Sequence, residues 1–277
     1  MKRYAVIFAV LLSAMTLLAQ KKTPHDVKLL IETNQGNIII KLYKETPLHQ
    51  KNFLKLVKLH YYDSLLFHRV IKGFMIQTGD PYSRKATATS ALGNGGPGYT
   101  IPAEIKYPTC FHKRGALAAA RQPDNVNPKF RSSGSQFYIV QGRKFTDEEL
   151  NKIEKKIQQN QRVKLALKFL GNPKNAAYKT RLDSLYAKKD LKGIVRLRQE
   201  IVALQLKKDH ATMFKFTPQV RATYKTIGGS PHLDSHYTVF GEVVKGMDIV
   251  DRIANAKTDR RDRPITDIRI KTIKILK

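Results

Sequence analysis

Cysteine, tryptophan and acidic residues are scarce in this chain. Its 277 residues include one Cys and no Trp. A single cysteine excludes an internal disulfide framework and a cysteine-rich zinc site. Lys and Arg number 51 against 22 Asp and Glu, for a formal net charge of +29, which predicts an anionic partner or surface. The hydrophobic content of 42% excludes a wholly disordered chain, and the length allows one large domain or two modest ones.

An apolar run without charge stands near the start of the sequence. Two basic residues precede it, and it extends from Ala5 to Leu18. The run is short for a transmembrane helix, which needs about 20 residues, and the arrangement is typical of a secretory signal. We predict a signal peptide over residues 1–19, with a retained anchor as the alternative. The mature protein is expected to be exported, to the periplasm or medium, or to the secretory lumen in a eukaryote.

Short β-rich runs separated by turn residues dominate the first half of the chain. Two runs on either side of the Asn34-Gln35-Gly36 triplet predict a hairpin. Thr46 and Pro47 then predict the cap and first turn of a helix. Its apolar face is expected to consist of Leu48, Phe53, Leu56 and Val57.

The end of the chain repeats this β pattern. A helix is predicted from about Met247 to Ala254. The alternation in the last run shifts by one residue between Ile270 and Ile273, which predicts a final strand with a bulge. Many short strands with few helices favour a mainly β protein, a closed antiparallel barrel with flanking helices.

Residues 143–228 differ from the rest in both pattern and charge. Thr146 and Glu149 form a capping box for a helix that ends near Leu170, and Pro173 and Asp190 predict the starts of two more. The segment holds 21 Lys and Arg against 8 Asp and Glu, a net +13 in 86 residues. We therefore predict a basic helical subdomain inserted into a discontinuous barrel. The barrel is assigned to residues 25–142 and 229–277, and the lone Cys110 is expected to be a small buried hydrophobe.

Three segments carry a recognisable pattern. They are Phe67–Asp80 (FHRVIKGFMIQTGD), Gly134–Val140 (GSQFYIV) and His232–Gly241 (HLDSHYTVFG). In this order and spacing they resemble the cyclophilin family of peptidyl-prolyl cis/trans isomerases. The resemblance covers about residues 27–142 and 229–276 and implies a cyclophilin-like closed barrel. It also implies an isomerase that uses no cofactor and no metal.

The resemblance also implies roles for single residues. Arg69 matches the catalytic arginine, and His68 matches a position on the rim of the site. The positions that line the family's proline pocket are Phe74, Met75, Tyr138, Leu233 and Tyr237. The positions that hold the substrate main chain are Gln77, Gln136 and the backbone of Ala120 and Arg121.

Three positions depart from the family pattern. Tyr138 stands where Phe is usual, and Tyr237 stands where many eukaryotic members have His. Both substitutions keep an aromatic wall. His232 replaces the Trp of cyclosporin-sensitive members, so we expect weak cyclosporin binding with little effect on turnover.

The chemistry of the reaction explains why an arginine can catalyse it. An X-Pro amide rotates over a barrier of roughly 18–20 kcal/mol because resonance stiffens its C–N bond. In the twisted transition state the prolyl nitrogen regains a lone pair, and a guanidinium donor aimed at that nitrogen binds this state better than the planar one. No covalent step is needed.

The sequence therefore predicts an exported isomerase that acts on X-Pro bonds of proline-containing polypeptides and assists folding as a chaperone. The alternative is a non-catalytic peptide-binding chaperone or scaffold that uses the same groove. The basic segment 143–228 is expected either to attract acidic clients or an anionic envelope surface, or simply to form solvated helix faces. Nucleic acid is not expected as a partner of an exported chain, and the protein is expected to be a monomer.

Overall fold

A computed structural model describes residues 25–276, and the predicted signal peptide lies outside them. The strands are β1 (Val27–Thr33), β2 (Gly36–Leu42), β3 (Arg69–Ile71), β4 (Met75–Thr78), β5 (Thr100–Ile101), β6 (Ala116–Ala119), β7 (Ser132–Ser133), β8 (Phe137–Val140), β9 (Val239–Lys245) and β10 (Ile270–Ile275). The helices are α1 (Pro47–Lys58), α2 (Asp147–Leu170), α3 (Ala176–Ala187), α4 (Leu191–Lys208), α5 (Pro218–Thr226) and α6 (Met247–Ala254).

Eight strands form one antiparallel sheet that curls on itself. Its order is β10-β1-β2-β9-β6-β8-β4-β3. The two edges meet just before β3 and β10, where Leu66 pairs with Arg269 and the Phe67 N–H donates to the Ile268 carbonyl at 2.8 Å. Closure removes exposed strand edges. The predicted mainly β barrel with flanking helices is confirmed.

The predicted hairpin at the start of the barrel and the predicted bulge in its last strand are both confirmed. The predicted hairpin joins β1 and β2 through a turn that ends at Gly36, whose φ of 131° favours glycine. In the pairing of β1 with β10, Glu32 faces Thr272 and Thr33 faces Ile270. The residue between these partners is therefore the predicted bulge, and it lets both Ile270 and Ile273 point inward.

Helix α1 begins where predicted, with Thr46 at the cap position and Pro47 as its first residue, but another residue supplies the capping bonds. The Thr46 side chain makes no capping bond. Instead, the Glu104 carboxylate accepts the N–H groups of Leu48 and His49 at 3.1 and 3.0 Å, and it contacts the His49 ring at 2.7 Å. His49 is therefore buried, whereas Leu48 is 47% exposed and lies outside the core. The apolar face begins at Phe53.

Burial tends to raise the pKa of Glu104, but the bonds from His49 and from the two N–H groups outweigh it and hold this pKa below the usual 4.5. A depressed carboxyl pKa stabilises the fold above the unfolded-state value, and that stabilisation is lost as the pH falls through the folded-state pKa. We predict that Glu104→Gln lowers the unfolding free energy by about 1 kcal/mol at pH 7. In urea denaturation the difference should shrink towards pH 3, and a difference independent of pH would contradict this account.

Four α-helices, not the three predicted, lie between β8 and β9. The capping box of Thr146 and Glu149 is confirmed at the start of α2, and Asp190 caps α4. The missed helix is α5, which Thr217 caps through its hydroxyl. Its Thr-Pro start repeats the signal that predicted α1. A 3-10 turn at Pro173–Asn175 precedes α3.

These helices contain two separate apolar clusters. The proximal cluster, which also contacts Tyr107 and Phe111 of the barrel chain, contains Leu150, Ile157, Phe214, Phe216, Val220 and Tyr224. The distal cluster joins the end of α2 to α3 and α4 and contains Phe169, Leu182, Ile194, Leu197 and Ile201. Within residues 25–276, the proximal cluster includes residues of the barrel, and the distal cluster consists of helical-segment residues alone.

Cys110 is buried, as predicted. Burial raises the pKa of its thiol to about 11, with a smaller contribution from Glu45. A thiol with a raised pKa is a poor nucleophile at neutral pH. Among residues 25–276, no helix has both the length and the apolar character needed to cross a membrane.

Candidate active site

A groove of about 270 Å³ crosses the barrel where β3, β4 and β8 lie side by side. Strand register fixes its central row, because Arg69 pairs with Gln77 and Gln77 pairs with Tyr138. Residues paired in this way across neighbouring strands point to the same face of the sheet. The groove thus brings together the predicted catalytic arginine, a carboxamide and an aromatic ring.

Arg69 stands at the edge of this groove. Its side chain is 43% exposed, and its Nε lies 3.5 Å from the Asp262 carboxylate, which is equally exposed. An exposed ion pair of this length contributes little, at most about 1 kcal/mol. The guanidinium therefore keeps donors for a ligand in the groove.

The apolar wall consists of the five residues predicted for the proline pocket. Tyr138 and Tyr237 meet edge to face, with ring centroids 6.1 Å apart, and Phe74 packs against His232 at 5.2 Å. The wall residues that line the groove are Phe74, Met75, Tyr138, Leu233 and Tyr237. The structure thus places all five around one cavity.

Gln136 lies behind Gln77. Its amide nitrogen donates to the carbonyls of Gly93 and Gly95 at 2.9 and 2.8 Å, and its oxygen accepts from Gln77 at 2.9 Å. These contacts fix the carboxamide of Gln77. They also occupy the side-chain amide of Gln136, through which this residue was predicted to hold a substrate main chain.

The backbone of Ala120 is bonded within the fold. Its N–H donates to the Gln136 carbonyl at 3.0 Å, and its carbonyl accepts from the Ser133 N–H at 2.7 Å. Arg121 is the other residue whose backbone was predicted to hold the substrate, and it follows Ala120 along the groove. We therefore expect a substrate strand to bond to the main chain of Arg121.

The Arg121 side chain has a supporting position that sequence reasoning missed. The guanidinium lies between the rings of Phe130 and Tyr237, 4.6 and 4.5 Å from their centroids. It donates to the His236 carbonyl at 2.7 Å and to Asp124 at 2.7 Å. These contacts hold the Tyr237 wall of the pocket in place.

His68, predicted to lie on the rim of the site, is among the residues that line the groove and is only 4% exposed. Its two ring nitrogens are buried without a hydrogen-bond partner among the described residues. Burial is the main cause of the lowered pKa of His68. The neutral imidazole is thus favoured at this position of the groove.

A buried chain of hydrogen bonds runs from the pocket wall to α5. The Tyr138 hydroxyl lies 3.0 Å from Nε2 of His112, and Nδ1 of His112 lies 2.8 Å from Asp234. The other oxygen of Asp234 accepts the Tyr224 hydroxyl at 2.6 Å. When Nδ1 donates to the carboxylate, Nε2 accepts the Tyr138 proton, so each group is satisfied. A Tyr where Phe is usual was the one sequence signal for it, since a buried hydroxyl needs a partner.

This chain predicts unequal effects of removing its two end hydroxyls. Tyr138→Phe leaves the His112 ring one bond short and should cost about 1 kcal/mol of unfolding free energy. Tyr224→Phe takes a donor from a fully buried carboxylate and should cost about 2–3 kcal/mol. Urea denaturation of both variants measures the difference. Equal costs would show that the Asp234 carboxylate does not depend on Tyr224.

Comparisons with known proteins agree with this geometry. The sequence model of the family described as "Cyclophilin type peptidyl-prolyl cis-trans isomerase/CLD" matches residues 28–160 and 208–275. The chain therefore belongs to the cyclophilin-type peptidyl-prolyl cis-trans isomerases and is an enzyme of that type. The predicted family is confirmed. Residues 161–207 lie outside the match, and the insertion over residues 143–228 stays a prediction.

Curated relatives carry the same activity in their names. A "Putative peptidyl-prolyl cis-trans isomerase" of Staphylococcus saprophyticus is 29% identical over 255 residues, which cover 91% of this chain and 93% of that protein. A "Putative bifunctional phosphatase/peptidyl-prolyl cis-trans isomerase" of Streptococcus pyogenes is 30% identical over 90% of this chain. This chain spans 38% of the length of that second protein.

Solved structures share the fold. A cyclophilin type peptidyl-prolyl cis-trans isomerase of Cryptosporidium parvum superposes with a TM-score of 0.54 at 21% identity, covering 91% of this chain and 99% of that one. A second structure of that protein, determined in the presence of the dipeptide Ala-Pro, gives a TM-score of 0.51 and the same 21% identity. It covers 90% of this chain and 99% of that one.

Proposed function

We propose that this isomerase acts on X-Pro bonds of exported proteins and assists their folding, with Arg69 as its catalytic residue. The observation that carries the proposal is that the side chain of Arg69 and the five residues of the apolar wall line one groove of about 270 Å³. The two basic residues followed by an uncharged apolar run near the start of the sequence support export. The related structure determined with Ala-Pro supports proline-containing peptides as substrates.

The mechanism depends on which groups of the site bind the planar amide and which bind the twisted amide. The aromatic wall holds the prolyl ring and excludes water from the amide, while Gln77 and the backbone at Arg121 hold the chain on either side. Arg69 donates to the prolyl nitrogen when rotation has localised its lone pair. Because that lone pair is absent in both planar states, the bond lowers the barrier and leaves the cis/trans equilibrium unchanged.

The competing function is peptide binding without turnover. Such a scaffold needs the pocket and the carboxamide but has no use for a donor aimed at the prolyl nitrogen. Arg69 is present, partly exposed and only weakly paired with Asp262. These features favour the enzyme.

We predict that Arg69→Ala reduces the catalysed exchange rate of an Ala-Pro peptide by roughly 100-fold, the effect typical of losing one transition-state donor. Exchange NMR on residues 25–277 measures this rate directly. The matched control is Lys72→Ala, which removes the same charge from an exposed position three residues away. Full activity in the arginine variant, or equal losses in both, would favour the scaffold.

The distal helices, α3 and α4, supply the proposed contact with anionic partners. Between residues 172 and 208 the sequence has 10 Lys and Arg against 3 Asp and Glu, and all ten of these basic residues are exposed. They surround the distal cluster and do not line the groove. We propose that they attract acidic clients over a range that salt limits to about 8 Å at physiological strength.

Charge reversal tests this surface without disturbing the core. Lys188, Lys189 and Lys192 are exposed around the turn between α3 and α4. With all three changed to Glu, turnover of a neutral Ala-Pro peptide should persist. The wild type is expected to turn over an acidic unfolded protein faster at low salt than at high salt. In the variant this difference between low and high salt should disappear. An unchanged advantage would contradict the proposal, and lost binding to anionic vesicles alone would assign the surface to the envelope instead.

A further inference from the structure

A second groove, of about 580 Å³, opens directly from the proline pocket. The two cavities share the side chains of Phe74, Leu233 and Tyr237. A polypeptide whose proline occupies the pocket can therefore continue into this second cavity without leaving the protein surface. We call it the α2 groove.

The opposite wall of the α2 groove is supplied by α2 and the residues just before it. Ile153, Lys156, Ile157 and Asn160 line it, and their spacing of three and four residues places them on one face of the helix. Phe145 extends the apolar part of this wall. This wall is thus mainly apolar, with the side chains of Lys156 and Asn160 beside the two isoleucines.

The charges around the α2 groove are unequally paired. Asp124 is held by both Arg121 and Lys164, at 2.7 and 2.8 Å. Arg143 is held by Glu149 at 2.8 Å and stacks on Phe145 at 4.0 Å. Lys156, in contrast, is exposed, and it has no carboxylate within 4.0 Å among residues 25–276.

We propose that the α2 groove is a subsite for the substrate residues next to the proline, and that it selects an acidic side chain there through Lys156. The proposal rests on the proposed function of the proline pocket. One extended residue spans at most about 3.6 Å, so a cavity that shares walls with the pocket receives the first or second residue from the proline. The apolar stem of that side chain would lie along Ile153 and Ile157, with its carboxylate at Lys156.

The pairing should act on binding more than on the chemical step. A flanking carboxylate at Lys156 is held in the planar states as well as in the twisted one. Uniform binding of this kind lowers KM and leaves kcat unchanged. This split distinguishes Lys156 from Arg69.

The test compares peptides that differ only in one residue within two positions of the proline, which is Glu, Gln or Lys. For the wild type at low salt we expect KM to be about three-fold lower with Glu than with Gln, with the same kcat. The preference should fade at high salt. Lys156→Glu should reverse the order so that the Lys peptide has the lowest KM. Lys155→Glu, a matched change at an exposed neighbour outside the α2 groove, should keep the wild-type order.

The outcomes separate this proposal from the one on which it rests. Absent turnover of the Gln peptide would overturn the isomerase mechanism itself. Normal turnover with equal KM values for Glu and Gln at every tested position would overturn the α2 groove alone. Equal effects of Lys155→Glu and Lys156→Glu would assign any preference to the overall positive field, and that result also overturns the subsite.

Discussion

The arrangement of the site depends on the buried carboxylate of Asp234. It binds the His112 ring on one side and the Tyr224 hydroxyl on the other, and His112 in turn holds Tyr138. All four groups lie away from water, so a missing partner leaves a polar atom unsatisfied at a cost of kilocalories. The pocket wall, the loop that carries Leu233 and helix α5 are therefore fixed together.

This linkage has a consequence for the helical segment. Because Tyr224 belongs to α5 and packs in the proximal cluster, α5 and the first half of α2 form part of the support of the barrel. This packing brings α2 alongside the pocket and so creates the α2 groove. The distal helices have their own cluster, and their charged faces can differ without affecting the pocket. One part of the helical segment thus shapes the pocket, and another part carries the charged faces.

The sequence predicts the features that depend on neighbouring residues. The β1–β2 turn, the bulge before Thr272 and the capping box at Thr146 each need only a few adjacent side chains, and all three are confirmed. The five residues predicted from the family pattern for the proline pocket also lie around one cavity, and their role in binding stays a prediction.

Features that join distant parts of the chain were missed. Glu104 caps a helix 55 residues earlier, and His112 meets Asp234 across 122 residues. No local pattern marks either pair, because the partner is chosen only when the barrel closes. Leu48 shows the same limit, since spacing alone placed it in the core whereas it is 47% exposed.

We propose that the Arg69 guanidinium, beside the aromatic wall of the groove, stabilises the twisted prolyl amide. The direct test is a crystal structure of residues 25–277 with an X-Pro peptide. We expect the prolyl ring between Phe74, Tyr138 and Leu233, with a guanidinium nitrogen of Arg69 about 3 Å from the prolyl nitrogen. A ring bound elsewhere, or an Arg69 turned towards Asp262 and away from the peptide, would contradict it.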